Sequence, residues 1–360
     1  MFWNAALVFA TSVSWNASPR TGSLAAETLA SRRTPHTSDG RLSPPRLVIV
    51  FKMATSSTRS AEIGASCFTG AAVIAITNPL DCLKQRWQVA PSTHKGGLAA
   101  FTQGIIRTEG LVSGLWKPGI ASNMCACTIS VGTRLGLYPT IRDATSPQKA
   151  QSGIGMFVSG LLGGALGYLV AAPFFMVSRI AHAEAGIVAA DGRYVSGART
   201  GSLPTAGHGT SSNGLPLLAH LASAEGISNL WRGAGVLVSR GALMSATQLA
   251  TYDVTKGQLK RWGLTDGPVV HCMASLAASL ALTTAIAPLD VTYTAYLAGP
   301  HLGRHYTSPL ACAQSLIDDG GLRAMFRGWT PLWLRFLPSS VFTFLIYEQS
   351  RRILLGKYLE

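Results

Sequence analysis

Between Lys149 and Arg179 the chain runs 29 residues without a charged side chain. That length crosses a bilayer as a helix, since a hydrocarbon core about 30 Å thick needs about 20 apolar residues. Gly267 to Leu289 is equally free of Asp, Glu, Lys and Arg, with His271 its only ionisable group, and Ile63 to Leu80 is a third such stretch. Each closes on a proline: Asn78-Pro79-Leu80-Asp81, Ala172-Pro173-Phe174-Phe175 and Ala287-Pro288-Leu289-Asp290. Pro79, Pro173 and Pro288 are expected to kink their helices, because proline removes a backbone donor and crowds the preceding turn.

Three more apolar stretches each hold one arginine: Gly119–Tyr138 with Arg134, Gly233–Tyr252 with Arg240, and Gly328–Tyr347 with Arg335. Six spans in odd–even pairs follow, with small residues such as Gly160, Gly164 and Gly167 spaced for close helix approach in lipid. Composition agrees, at 13% charged, 48% hydrophobic and a mean hydropathy of +0.27. A soluble enzyme with an ordinary surface is excluded by so few charges. The excess of 30 Lys and Arg over 16 Asp and Glu, a net +14, suits anionic headgroups or anionic solutes. No zinc spacing and no aromatic-interleaved basic run supports nucleic acid as a partner. The six cysteines form no C-x-x-C pair and read as apolar thiols rather than disulfides.

The spans repeat. The three prolines are 94 and 115 residues apart, and Tyr138, Tyr252 and Tyr347 at the far ends of the even spans are 114 and 95 apart. Between them recurs a glycine element before an aromatic-basic pair: Glu109-Gly110 before Trp116-Lys117, Glu225-Gly226 before Trp231-Arg232-Gly233, and Gly320-Gly321 before Phe326-Arg327-Gly328. Three copies of about 100 residues predict pseudo-threefold symmetry. Their expected bounds are 61–148, 149–262 and 263–360. The second copy carries extra residues within 186–213, rich in Gly, Ser and Thr, which read as a disordered loop. Residues 1–60 stand outside the array as a basic, disordered extension. It is open to reading as an organelle transit segment, or as residues preceding a true start at Met53, the reading preferred.

The string Pro79-Leu-Asp81-Cys-Leu-Lys84-Gln-Arg86 closely resembles the signature of mitochondrial carriers: proline, an acid two residues on, then spaced basic residues. With the repeated glycine and aromatic-basic marks the resemblance covers residues 60–360. Thr133-Arg-Leu-Gly-Leu-Tyr138 and Leu334-Arg-Phe-Leu-Pro-Ser-Ser340 are similar to the branch holding oxaloacetate, dicarboxylate and uncoupling carriers. The fold implied is an all-α membrane protein, a six-helix barrel with short matrix helices, acting as a monomer in the mitochondrial inner membrane by alternating access.

The same resemblance assigns residues. Twelve positions before the terminal tyrosines stand Ala126, Arg240 and Arg335, where the family contacts substrate; Gly241, Arg134 and Gln248 complete the expected site. Charges inside a span are costly, so they should face a wet cavity or a partner, and two guanidinium groups suit a dianion. Snorkelling or helix-tying is the alternative, most of all for Arg134 near a span end.

The matrix gate is expected to keep one of three ion pairs, Asp290 with Lys84. Asp81 would face Ser178, which cannot pair ionically, while Phe175 and Tyr293 stand in place of the missing acid and base. A cytosolic gate is expected from Asp253, Lys256, Glu348, Arg351 and Arg142. Trp231, Arg232, Gly233, Phe326, Arg327 and Gly328 are expected at cardiolipin, as a structural lipid on helix N-termini, with an ordinary aromatic belt as the alternative.

No nucleotide loop, metal spacing or catalytic constellation occurs, so neither enzyme activity, a metal nor a cofactor is expected. The function expected is transport of a small anion, most of all a di- or keto-carboxylate such as oxaloacetate, with sulfate open as a co-substrate. An uncoupling-type proton or anion carrier and a carrier-derived scaffold that moves nothing remain as alternatives.

Overall fold

A computed structural model describes residues 46–90, 97–145, 153–205, 214–264 and 268–355. Among them the chain repeats one pattern three times: a long helix, a short helix, a tight helical turn and a second long helix. The first copy is α1 (Arg46–Val89), α2 (Gly97–Glu109), a π turn over Val112–Trp116 and α3 (Ile120–Thr145). The second is α4 (Gly153–Ala183), α5 (Gly214–Ala224), a 3₁₀ turn over Ile227–Trp231 and α6 (Ala234–Arg261). The third is α7 (Pro268–Ala298), α8 (Pro309–Gly320), a 3₁₀ turn over Leu322–Phe326 and α9 (Trp329–Leu355).

Pro79, Pro173 and Pro288 lie inside α1, α4 and α7, and each helix ends ten residues beyond its proline. Three helical segments are long and apolar enough to cross a membrane, Ser60–Val89, Val158–Ala183 and Cys272–Ala298. Leu162, Leu166, Leu169 and Val170 of α4 and Met273, Leu276 and Leu280 of α7 are exposed, as a lipid-facing surface requires. The arginine-bearing α3, α6 and α9 alternate with these helices.

The long helices close into a ring in chain order, α9 packing back on α1. A glycine at the start of each even helix makes the closure tight. Gly119, Gly233 and Gly328 all have positive φ. A Cβ at Gly119 would lie 2.9 Å from His182, at Gly233 3.2 Å from Tyr293 and 3.3 Å from Leu297, and at Gly328 3.0 Å from Gln88. Gln88, His182 and Leu297 stand nine residues past the three prolines. Each repeat therefore docks its even helix on the same position of the next repeat. The core at this end is apolar: Met176, Ile180, Leu217, Leu221, Leu237 and Leu297 pack together across α4 to α7.

Two expectations change. Helix α1 begins at Arg46, inside the stretch read as an extension; residues 1–45 lie outside the described residues. The insert is ordered over 186–205, with 206–213 outside the described residues. Its polarity had suggested disorder, but Tyr194 is buried at 3% exposure and Val188 bridges to Tyr194. Glu184 accepts from Arg199 Nη1 at 2.7 Å and from the Thr205 hydroxyl. A loop that buries an aromatic ring and satisfies a buried carboxylate has reason to fold.

Candidate functional site

Asp290, on α7 two residues past Pro288, has no exposed side-chain surface. Lys84 Nζ of α1 reaches its Oδ2 at 2.7 Å and Gln88 Nε2 donates to the same oxygen at 3.0 Å. On Oδ1 it meets Arg179 Nη2 of α4 at 3.2 Å and Arg240 Nε of α6 at 2.9 Å. Three cations from three helices thus share one carboxylate. Arg179 is fixed further by donating to Thr294 Oγ1 at 3.0 Å and by lying 5.3 Å over the Tyr293 ring.

Asp81 of α1, also buried, is the second carboxylate. Arg335 Nη1 of α9 lies 2.6 Å from its Oδ1, and Asn123 Nδ2 reaches Oδ2 at 3.5 Å. Neither Arg240 Nε nor Asp81 Oδ1 is aligned for a hydrogen bond within its ion pair, unlike the Lys84 contact. A third buried pair closes the matrix end of α1 on α2: Arg86 donates to both Glu109 oxygens at 2.5 and 2.7 Å and to the Gly114 carbonyl at 2.9 Å.

The expected Lys84–Asp290 pair forms, and it is not alone. Asp81 does not lack a partner, because Arg335 supplies the cation that Ser178 cannot. The basic group of the second copy stands one residue along, at Arg179, and turns to Asp290 rather than Asp81. Sequence reading missed it because the motif's register is off by one. Gln88 was missed as well, although its place nine residues past a proline, shared with His182 and Leu297, was readable from the repeat.

Other expected site residues sit differently. Ala126 is fully buried. Gly241 faces the Tyr168 ring of α4, where a Cβ would fall 2.4 Å from ring carbon, so it serves close helix packing rather than opening on a cavity. The stem of Arg134 lies over Gly163 and Gly164 of α4, 3.6 and 3.9 Å from where their Cβ atoms would be. The side chains of Gln248, Asp253, Glu348, Arg351 and Arg142 lie outside the described residues, while Lys256 is half-buried.

At the aromatic-basic elements, Arg232 lies 4.5 Å over Tyr296 of α7, and Arg327 lies 5.1 Å over Trp87 of α1. Trp231, beside Gly233, donates to the Leu169 carbonyl at 2.9 Å, and Phe326, before Gly328, is exposed. Burial pushes the Arg327 guanidinium below its ordinary value.

Six long helices in three repeats, closed around buried charge and bearing lipid-facing apolar surfaces, define an all-α membrane protein of the three-repeat barrel class. The family model described as mitochondrial carrier protein matches residues 56–149, 150–261 and 265–358. The chain belongs to that family, whose members are transporters of mitochondrial membranes and not enzymes. It is 28% identical to the "Mitochondrial substrate carrier family protein ucpB" of Dictyostelium discoideum, over 81% of this chain and 93% of that one. It is 29% identical to the "Dicarboxylate carrier UCP2" of Danio rerio, over 78% and 87%. With the "Mitochondrial 2-oxoglutarate/malate carrier protein" of Caenorhabditis elegans it shares 28% identity over 76% and 86%.

Proposed function

We propose that this protein carries a small dianion, a di- or keto-carboxylate, across the mitochondrial inner membrane by alternating access. One observation carries the reading: Arg240 and Arg335 converge with Lys84 and Arg179 on two buried carboxylates, Asp290 and Asp81. Guanidinium groups gathered at one buried centre suit bidentate contact with a dianion.

Arg240 and Arg335 are the two arginines equivalent under the repeat, and they rest on the two carboxylates that hold the matrix side shut. A substrate entering from the cytosolic side competes with Asp290 and Asp81 for the same guanidinium groups. Its arrival loosens α6 from α7 and α9 from α1 together, leaving Lys84 and Arg179 as the remaining ties at Asp290. Closure of the cytosolic pairs then accompanies opening toward the matrix. The names of the dicarboxylate and oxoglutarate/malate relatives support this substrate class.

The test is a thermal-shift panel on the purified protein with malate, oxaloacetate, sulfate, monocarboxylates and nucleotides. A saturating dianion should raise the melting temperature by several degrees, since ligand at a hundred times Kd adds about 2.7 kcal/mol. Arg335→Ala should abolish that shift. A panel without any response to dianions sinks the reading. A second reading, uncoupling-type conduction, is supported by the relative named "Mitochondrial brown fat uncoupling protein 1" of Ochotona dauurica. Proton conduction by proteoliposomes without solute exchange would favour it. The scaffold alternative drew on Phe175, Ser178 and Tyr293, and the matched arginines Arg240 and Arg335 argue against it.

A further inference from the structure

Nine residues past the three prolines stand Gln88, His182 and Leu297. Gln88 braces Asp290, and Leu297 packs in the apolar core. His182 puts a titratable ring in the same place with no exposed surface.

Its neighbours fix its tautomer. Asn78 Nδ2 donates to the main-chain oxygens of Trp116 at 2.7 Å and Pro118 at 3.0 Å, which turns Asn78 Oδ1 toward the histidine. Asn123 Nδ2 donates to that oxygen at 3.3 Å. His182 Nε2, 3.2 Å away, must therefore carry the hydrogen and donate as well. Nδ1 is left as a bare lone pair, buried and without a hydrogen-bond partner among the described residues. A buried acceptor in that state is uncommon and calls for an explanation. The chain of contacts runs on from Asn123 to Asp81, and from Asp81 to Arg335.

We propose that His182 is the proton site of a proton–anion symporter, Nδ1 taking up one proton with each anion carried. This rests on the anion-transport reading above. The balance is simple: a proton adds to the Nδ1 lone pair on loading and leaves to matrix water on release. The imidazolium supplies Asp81 with positive charge, through Asn78 and Asn123, at the moment Arg335 turns from Asp81 to the substrate.

The charged groups around the ring make the two events depend on each other. Burial opposes a charge on the ring most of all; Asp81 on α1 and the Pro118 carbonyl favour the proton, whereas Arg179 on α4 and Lys84 on α1 oppose it. The turn leading into α3 presents only the carbonyls of Trp116 and Pro118 and the close backbone of Gly119. With no anion bound, a proton on His182 adds positive charge to a centre that already gathers Lys84 and Arg179. With a dianion in place that added charge is offset. Each ligand therefore raises affinity for the other, and the coupling is reciprocal.

The test uses the full chain in proteoliposomes, with radiolabelled malate and sulfate as probes and a trapped dye reporting internal pH. Counter-exchange is measured at equal pH on both sides, and net uptake is measured with acid outside. One proton with one dianion moves a net −1 charge, so with the membrane potential held at zero by valinomycin and equal potassium, wild type should accumulate anion about tenfold per pH unit of gradient, the equivalent of one proton per anion, with matching internal acidification. His182→Gln, which installs the first repeat's residue, should keep counter-exchange at a rate reduced a few-fold and lose gradient-driven accumulation.

Accumulation by His182→Gln equal to wild type overturns the proposal. So does wild-type exchange that ignores the gradient, or acidification that needs no anion. Absence of exchange with any dianion in wild type fails the anion-transport reading instead. Should His182→Gln not fold, weakly buffered solubilised wild type decides the matter: addition of malate or sulfate takes up about one proton per bound anion, and no uptake overturns the assignment.

Discussion

Removing Asp290 differs in kind from removing any one of its partners. Asp290→Asn leaves Lys84, Arg179 and Arg240 buried around a neutral group, and an uncompensated buried charge costs about 3–5 kcal/mol. Arg179→Gln leaves the carboxylate with two cations and a glutamine, so the loss is that of one charged hydrogen bond, about 1.5–3 kcal/mol. Differential scanning fluorimetry in detergent should rank wild type above Arg179→Gln and Arg179→Gln above Asp290→Asn. Equal melting for the two variants would falsify the shared-carboxylate account. At this scale the sequence exposed Arg240 and Arg335, because charge inside an apolar span is conspicuous, and Lys84, Asp81 and Asp290 through the family resemblance. It did not expose who pairs with whom. Arg179 and Ser178 are neighbours in the chain, and only the turn of α4 decides which of them faces Asp290.

The insert shows where element-scale reading from composition breaks down. Gly, Ser and Thr predict a loop, and a loop it is, but one anchored at both ends. Gly197, at φ +88°, approaches the Ala185 carbonyl so closely that a Cβ would lie 2.4 Å from the oxygen. Gly197→Ala should therefore release residues 186–205, seen as faster amide exchange there with the spans unchanged. The anchor is also pH-dependent, because His301 Nδ1 lies 3.4 Å from the Thr205 hydroxyl that donates to Glu184. Burial, with Arg199, Arg232 and His220 nearby, pushes His301 down to about 4 from 6.5. Between those values the unfolded segment binds more protons than the folded one, so this contribution is full above pH 6.5 and is lost as pH falls toward 4. Burial raises Glu184, which has the opposite sign: its contribution is present at low pH and lost as pH rises through its folded value. After correction for intrinsic rates, amide exchange of the insert should quicken from pH 6.5 toward 4, and His301→Asn should lose that trend. The short helices α2, α5 and α8 were legible only through the family resemblance. In a barrel set in lipid, inner and outer faces are both apolar, so the usual helical periodicity gives little signal.

The whole molecule is a ring whose repeats are stitched by the same device on the matrix side: a positive-φ glycine against the next repeat's odd helix, with an aromatic-basic pair beside it. Arg232 over Tyr296 joins the second repeat to the third, and Arg327 over Trp87 joins the third to the first. Both guanidinium groups thereby stand at helix starts, where free amides favour an anionic phosphate. A cation–π contact fixes each arginine's place without consuming its charge, so a lipid with two phosphates can bridge neighbouring repeats there. Cardiolipin should accordingly raise the melting temperature of the solubilised protein more than phosphatidylglycerol at equal phosphate. Arg232→Gln and Arg327→Gln should each remove part of that increment, and the double variant most of it, while the response to a transported dianion persists. Because the two sites lie at different repeat junctions, their losses should add to within about 0.5 kcal/mol. An increment untouched by both replacements would leave the arginines as parts of an aromatic belt, and a dianion response lost with them would mean that ring closure, rather than lipid, depends on their charge.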